Sequence, residues 1–211
     1  FVLGERDLCD RFLIPEKLYG REQEVQTLLN AFERVASPLG KGGRAEMMLV
    51  TGYSGIGKTA VVNEVHKPIT RQKGYFIKGK FDQFNSNIPF SAFVIAFQDL
   101  MGQLLGESDA QLQEWKGKIL EAVGEQGQVI IDVIPELEQI TGKQPPVPEL
   151  SGIAGQNRFN LLFQKFISVF TSIEHPLTLF LDDLQWADSA SLNLMKVLIG
   201  DSQPLIDMGY R

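Results

Sequence analysis

Polar and apolar positions follow one another along this chain with two distinct periods. After Tyr19-Gly20-Arg21-Glu22, the residues Val25, Leu28, Leu29, Phe32 and Val35 recur at three- and four-residue steps, which predicts a helix with one buried face. The same spacing makes Phe90, Phe93, Val94, Phe97, Leu100, Met101 and Leu104 the core side of a helix opened by Pro89, whose missing N–H is not needed in a first turn. Segments 108–123 and 125–140 read as two more helices. Another runs from Asn157 to about Ile173 with Phe159, Leu162, Phe163, Phe166, Ile167 and Phe170 inward, and Ser189 to Ile199 follows with Asp188 or Ser189 as cap. Between them lie strand-like runs. These are Met47-Met48-Leu49-Val50, the alternating stretch from Tyr75 to Phe81, and Leu177-Thr178-Leu179-Phe180-Leu181, whose unbroken apolarity suits a strand buried on both faces of a parallel sheet. Strands alternating with helices predict an α/β domain.

The breaks set the boundaries. Residues 1–18 have no clean period and read as a linker from an upstream domain into one domain spanning 19–211. Ser37 to Gly43 is a Gly-rich joint, Pro68 and Lys73-Gly74 interrupt the chain before the second strand, and Gln144-Pro145-Pro146-Val147-Pro148 is a stiff connector. The chain opens without Met inside a patterned segment and stops just past a possible strand at Leu205-Ile206-Asp207-Met208. It therefore reads as an excerpt of a longer polypeptide.

One of these joints carries chemistry. Gly52-Tyr53-Ser54-Gly55-Ile56-Gly57-Lys58-Thr59 meets the pattern G-x-x-x-x-G-K-[ST] at every fixed position, and Ala60 continues it into a helix. Three glycines let backbone N–H groups turn inward around an anion, and the helix start aims its positive dipole end at the same point. Lys58 supplies a mobile charge for the β- and γ-phosphates, and the Thr59 hydroxyl is placed to ligate Mg²⁺. Such a match arises by chance in roughly one chain in a hundred of this length. The preceding apolar run and the following amphipathic segment, Ala60-Val61-Val62-Asn63-Glu64-Val65, give it the strand-loop-helix setting that nucleoside triphosphate binding requires.

A second element answers the first. The apolar run at 177–181 ends in Asp182-Asp183, and in α/β sheets ligands gather at the carboxyl ends of the strands. Asp182 then arrives beside Thr59 and the metal. Asp183, one position further, is the better group to orient or deprotonate the attacking water, because a metal-bound carboxylate is a poor base. Taken alone, an Asp-Asp pair is more often a solvated strand end; the loop upstream reverses that. His66 and His175 have no nucleophile or acid nearby in sequence to complete a catalytic group and read as structural.

Composition narrows the class. The 211 residues carry a formal charge of −6 and a pI near 5.0 with no basic block, which disfavours nucleic acid as main partner. A lone cysteine, Cys9, forms no internal disulfide, so a reducing cytoplasm is the default. No apolar stretch approaches ~18 residues, so this segment makes no membrane contact.

Together, Tyr19-Gly20-Arg21-Glu22, the phosphate loop, and Leu181-Asp182-Asp183-Leu184-Gln185-Trp186-Ala187-Asp188 resemble the AAA-type ATPase domain of the STAND class of signalling ATPases. Ile14-Pro15-Glu16-Lys17-Leu18, Lys78-Gly79-Lys80-Phe81-Asp82-Gln83 and Asn157-Arg158-Phe159 are similar to the ATPase segment of large bacterial multi-sensor kinases. The resemblance implies a P-loop three-layer sandwich with a parallel sheet of AAA-like strand order, truncated on its C-terminal side, with the strand before Arg211 lying between the phosphate-loop strand and the Asp182 strand. It implies ATP and Mg²⁺ as ligands, Gly52 to Ala60 as Walker A, Asp182 on the metal in Walker B, Asp183 as hydrolytic acid, Gly20-Arg21 near the adenine through backbone contacts, and Arg211 as a sensor. It implies flanking kinase and sensor domains as partners and leaves self-association open. The expected function is a nucleotide-driven regulatory switch. The alternatives are the core of a DNA-associated initiator or transcription regulator, and a nucleotide-binding scaffold with little hydrolysis. A fragment lacking its last strand and lid is expected to be marginally stable.

Overall fold

The computed structural model of the chain describes residues 20–36, 45–72, 74–85, 88–171 and 175–199, with the backbone of 206–209. The expected linker at 1–18, the joint at 37–43 and Arg211 lie outside the described residues. In chain order the elements are α1 (Glu22–Ala36), β1 (Met48–Thr51), α2 (Lys58–Arg71), β2 (Tyr75–Lys80), α3 (Ser91–Leu105), α4 (Asp109–Val123), α5 (Gly127–Ile131), α6 (Leu137–Thr141), α7 (Gly152–Val169), β3 (Leu177–Asp182), α8 (Ser189–Ile199) and β4 (Ile206–Gly209).

The strands pair in parallel, β1 with β4 and β2 with β3, and Lys80 stands opposite Asp182 in the second ladder. The expected neighbour relation of the last strand with the phosphate-loop strand is therefore present. Its other expected neighbour is β3, and no β3–β4 ladder occurs among the described residues. Helices pack on both faces of the β2–β3 pair. Period-two alternation sends Tyr75 and Ile77 into the cluster of α3, with Phe93, Phe97 and Leu100, while Phe76 and Phe180 join Val62, Val65 and Ile69 of α2 and Phe32 of α1. A chain of ring contacts runs through the larger core from Phe90 and Phe159 through Phe163, Phe97, Phe166 and Phe170 to Trp115, with successive centroids 4.4–5.4 Å apart. Gly79 lets α3 lie directly on β2: a Cβ there would stand 2.0 Å from the Ala92 carbonyl oxygen.

Several expectations need correction. Helix α2 runs through Pro68 to Arg71 instead of breaking there. The lost hydrogen bond and ring clash cost about 3 kcal/mol, but Val65 and Ile69, buried on either side, each return about 1.5–3 kcal/mol. Segment 125–140 is not one helix. It is a 3-10 turn, then α5 and α6 separated at Asp132 to Glu136, a stretch that contains Pro135, whose missing N–H and ring interrupt a continuous helix, while Ile130, Ile131, Ile134, Leu137 and Ile140 are all buried. Pro89 precedes α3 instead of opening it, since Phe90 takes a left-handed φ of 63° at the N-cap. Helix α7 starts at Gly152, five residues before the expected Asn157, and ends at Val169. The Arg158 guanidinium donates to Pro148 O at 2.7 Å and ties the connector to α7. Strand β3 is half-buried along its whole length, not fully buried, as befits a strand whose only ladder among the described residues is with β2.

Candidate functional site

The phosphate loop leaves β1 at Thr51 and enters α2 at Lys58, as the sequence requires. Gly55 and Gly57 have φ of 79° and 96°, values that side-chain-bearing residues rarely adopt, and an added Cβ at either meets no atom within 4 Å. Their glycine requirement is thus one of backbone conformation, not space. Gly52, Tyr53, Ser54 and Gly55 are exposed, so the loop opens to solvent, while Ile56 and Gly57 are half-buried and Ala60 is exposed on the first turn of α2. Lys58 folds over the loop, its Nζ donating to Gly52 O at 2.9 Å and Tyr53 O at 3.0 Å. Those carbonyls are neutral acceptors, and a phosphate oxygen in the same place makes a stronger, charge-assisted bond.

Across from the loop, β3 delivers its acids. Thr59 Oγ1 donates to Asp182 Oδ2 at 3.5 Å, joining residues 123 positions apart. A hydroxyl and a carboxylate are hard oxygen donors, and magnesium binds through one or two protein oxygens with water completing its shell, so the pair fits that ion. Among the described residues no group of three or more His, Cys, Asp or Glu is placed to hold a metal. Asp182 Oδ1 accepts from the Asp183 amide at 3.0 Å, and Asp183 turns its backbone to a φ of 55°. Its carboxylate is held from two sides, by Lys80 Nζ at 3.3 Å and by Gln185 Nε2 at 3.1 Å. The turn is closed by Trp186 N and Ala187 N, which donate to Asp183 O and Leu184 O.

Asp188 anchors this turn. It accepts from Ser191 N at 2.8 Å and Ser191 Oγ at 2.6 Å, capping α8, and from Phe90 N at 3.3 Å, which fixes the start of α3. On the opposite flank Arg21 reaches the loop through Ile56 O at 3.4 Å and pairs with Glu24 at 3.0 Å, whose carboxyl is held below its usual range by that hydrogen bond. The Arg21 side chain thus flanks the phosphate loop, while Gly20 N donates to Glu22 Oε1 at 3.2 Å within its own segment.

Two site residues escaped the sequence reading. Lys80 was visible only as part of Lys78-Gly79-Lys80, and the signal was available: two charges at period two on an otherwise apolar strand share one face at its carboxyl end. Asp188 was expected as a cap, but its bond to Phe90, 98 positions away, has no local trace. His66 and His175 prove to be packing groups, with ring contacts to Phe76 and to Tyr75 and Trp115. No described helix is long and apolar enough to cross a membrane.

The model of the AAA ATPase domain matches residues 17–207. The hybrid signal transduction histidine kinase G of Dictyostelium discoideum is 40% identical over 199 residues, covering 94% of this chain and 6% of that protein. Histidine protein kinase 1 of Candida albicans is 21% identical over 212 residues, covering 93% of this chain and 8% of its own length. The chain thus spans less than a tenth of the length of these curated relatives. No solved structure matches it.

Proposed function

The chain belongs to the AAA ATPase domain family, and from that premise we propose that it binds ATP with magnesium at Gly52 to Ala60 and hydrolyses it, as a cytoplasmic regulatory module of a multidomain signal-transduction kinase. The observation that carries this is the meeting of Thr59 with Asp182 at 3.5 Å, which sets the end of the phosphate loop against the acid end of β3. In this reading the fold is a P-loop sandwich of the STAND class, with β4 between β1 and β3.

The roles follow from the chemistry of each group. The N–H groups of Gly55 to Lys58 and the α2 dipole hold the phosphates, and Lys58 balances their charge. Thr59 and Asp182 hold magnesium, which when bound withdraws charge from the β- and γ-phosphates. Asp183 directs a water at the terminal phosphate and takes its proton, giving ADP and inorganic phosphate. Arg21 braces the loop from the adenine side, and Arg211 acts as sensor. Two relatives named as histidine kinases support a place beside kinase and sensor modules, whose arrangement the ATP and ADP states bias through their different contacts.

Steady-state hydrolysis by the full-length protein tests the assignment. Asp183→Asn is expected to lower kcat by about 100-fold or more while nucleotide affinity stays within about twofold. Unchanged turnover would remove Asp183 from the reaction.

A further inference from the structure

We propose that the connector from Gln144 to Pro148 is a docking ligand: a polyproline helix that the fold holds ready for a partner module with an aromatic, proline-reading groove. The residues themselves set its conformation. No helix or strand covers 142–151, between the end of α6 and the start of α7. The rings of Pro145, Pro146 and Pro148 fix φ at about −65°, and Gln144, Pro145 and Val147 each precede a proline, which disfavours the helical region and leaves them extended. Residues 144–148, all so restricted, trace a polyproline II helix with three residues per turn. Exposure follows that period. Gln144 and Val147 are half-buried, whereas Pro145, Pro146, Pro148 and Glu149 are exposed.

One side of this helix belongs to the domain and the other to solvent. Gln144 lies against Gly127 at the start of α5, where a Cβ would stand 3.2 Å from its Cγ, and its side-chain amide donates to Gly142 O at 3.2 Å. At the far end Arg158 Nη1 donates to Pro148 O at 2.7 Å, and the Leu150 carbonyl oxygen lies against Gly155, where a Cβ would meet it at 2.3 Å. Both ends are thus pinned to the body. Pro145 and Pro148 are one turn apart on the outer side, about 9 Å along the axis. Proline-reading modules recognise that form: aromatic side chains of the groove take the rings of successive turns, and a ligand already extended loses little freedom on binding. Glu149 follows on the exposed side, so the groove that fits this segment carries a basic residue at its rim.

The test is titration of a fluorescently labelled WW domain, one that binds free Pro-Pro-x-Pro peptides and has a basic residue beside its aromatic groove, with the full-length protein and with a peptide of residues 142–151, read by polarisation. The protein is expected to bind at least as tightly as the free peptide, whose chain has still to be ordered. Replacing both rings, Pro145→Ala with Pro148→Ala, should weaken protein and peptide alike by about tenfold or more, and Glu149→Gln by about two- to fivefold. The peptide has no fold to lose, so its weakening cannot come from unfolding. Ile95→Ala, at an exposed apolar residue of α3, should leave the protein's affinity within about twofold. Binding by the peptide but not by the protein, binding by neither, undiminished binding in the double variant, or equal weakening in Ile95→Ala overturns the proposal.

Discussion

Replacing Gly79 by alanine places a methyl group 2.0 Å from the Ala92 carbonyl oxygen and 2.7 Å from its carbonyl carbon. Both are backbone atoms in the first turn of α3, so no side chain can swing aside. Ordinary contact begins near 3.4 Å, and α3 has to withdraw from β2 by more than an ångström. Ala92, Phe93, Ala96, Phe97 and Leu100 are fully buried, so the withdrawal opens voids along the face it relieves. Overpacking and lost contact together are worth about 2–4 kcal/mol. Amide hydrogen exchange in the full-length protein reads this locally, and protection in β2 and α3 should fall by about 30- to 1000-fold. Gly117→Ala is the matched control. It lies on the exposed side of α4 with nothing within 4 Å of the new methyl, and should leave protection unchanged or raise it by up to about 1 kcal/mol. Full protection of β2 in Gly79→Ala, or an equal loss in Gly117→Ala, would refute the close packing of helix on strand.

Two further perturbations probe the scaffold around the site. Burial, and then the 2.8 Å bond to Glu107, hold the Tyr75 phenol well above its ordinary value. The stability this gives is complete below the unfolded value of about 10 and is lost as pH rises toward the folded one. Tyr75→Phe should therefore cost about 1 kcal/mol at neutral pH and flatten the alkaline limb of an unfolding profile; an unaltered limb would contradict the assignment. Asp188→Ala removes the acceptor shared by Ser191 and Phe90 and should cost about 1–2 kcal/mol, with lost exchange protection in the first turns of both α8 and α3. Loss confined to α8 would show that the Phe90 link carries no energy.

What was legible in the sequence was what local rules dictate. The phosphate loop is readable because its glycines answer to backbone conformation, and α1, α3 and α8 because one face of each is apolar at the helical period. Asp182 was placed beside Thr59 from the rule that ligands collect at strand ends, and the two side chains do meet. The misreadings arose where tertiary packing overrides local pattern. The start of α7, Gly152-Ile153-Ala154-Gly155, carries two glycines and an exposed Ile153, yet Gly155 fits where a Cβ would meet the Leu150 carbonyl at 2.3 Å. Pro68 stays helical because its neighbours are core residues. The Lys80–Asp183 pair depends on the register of two strands about a hundred residues apart, which periodicity alone does not supply.

The central claim is that the Gly52–Thr59 loop is a nucleotide site, and calorimetric titration of Mg²⁺ and ATP into the full-length protein and its Lys58→Ala variant tests it most directly. Saturable binding by the unmodified protein, abolished or weakened at least about 100-fold in Lys58→Ala, is the predicted result. Equal affinity in the two proteins would contradict it.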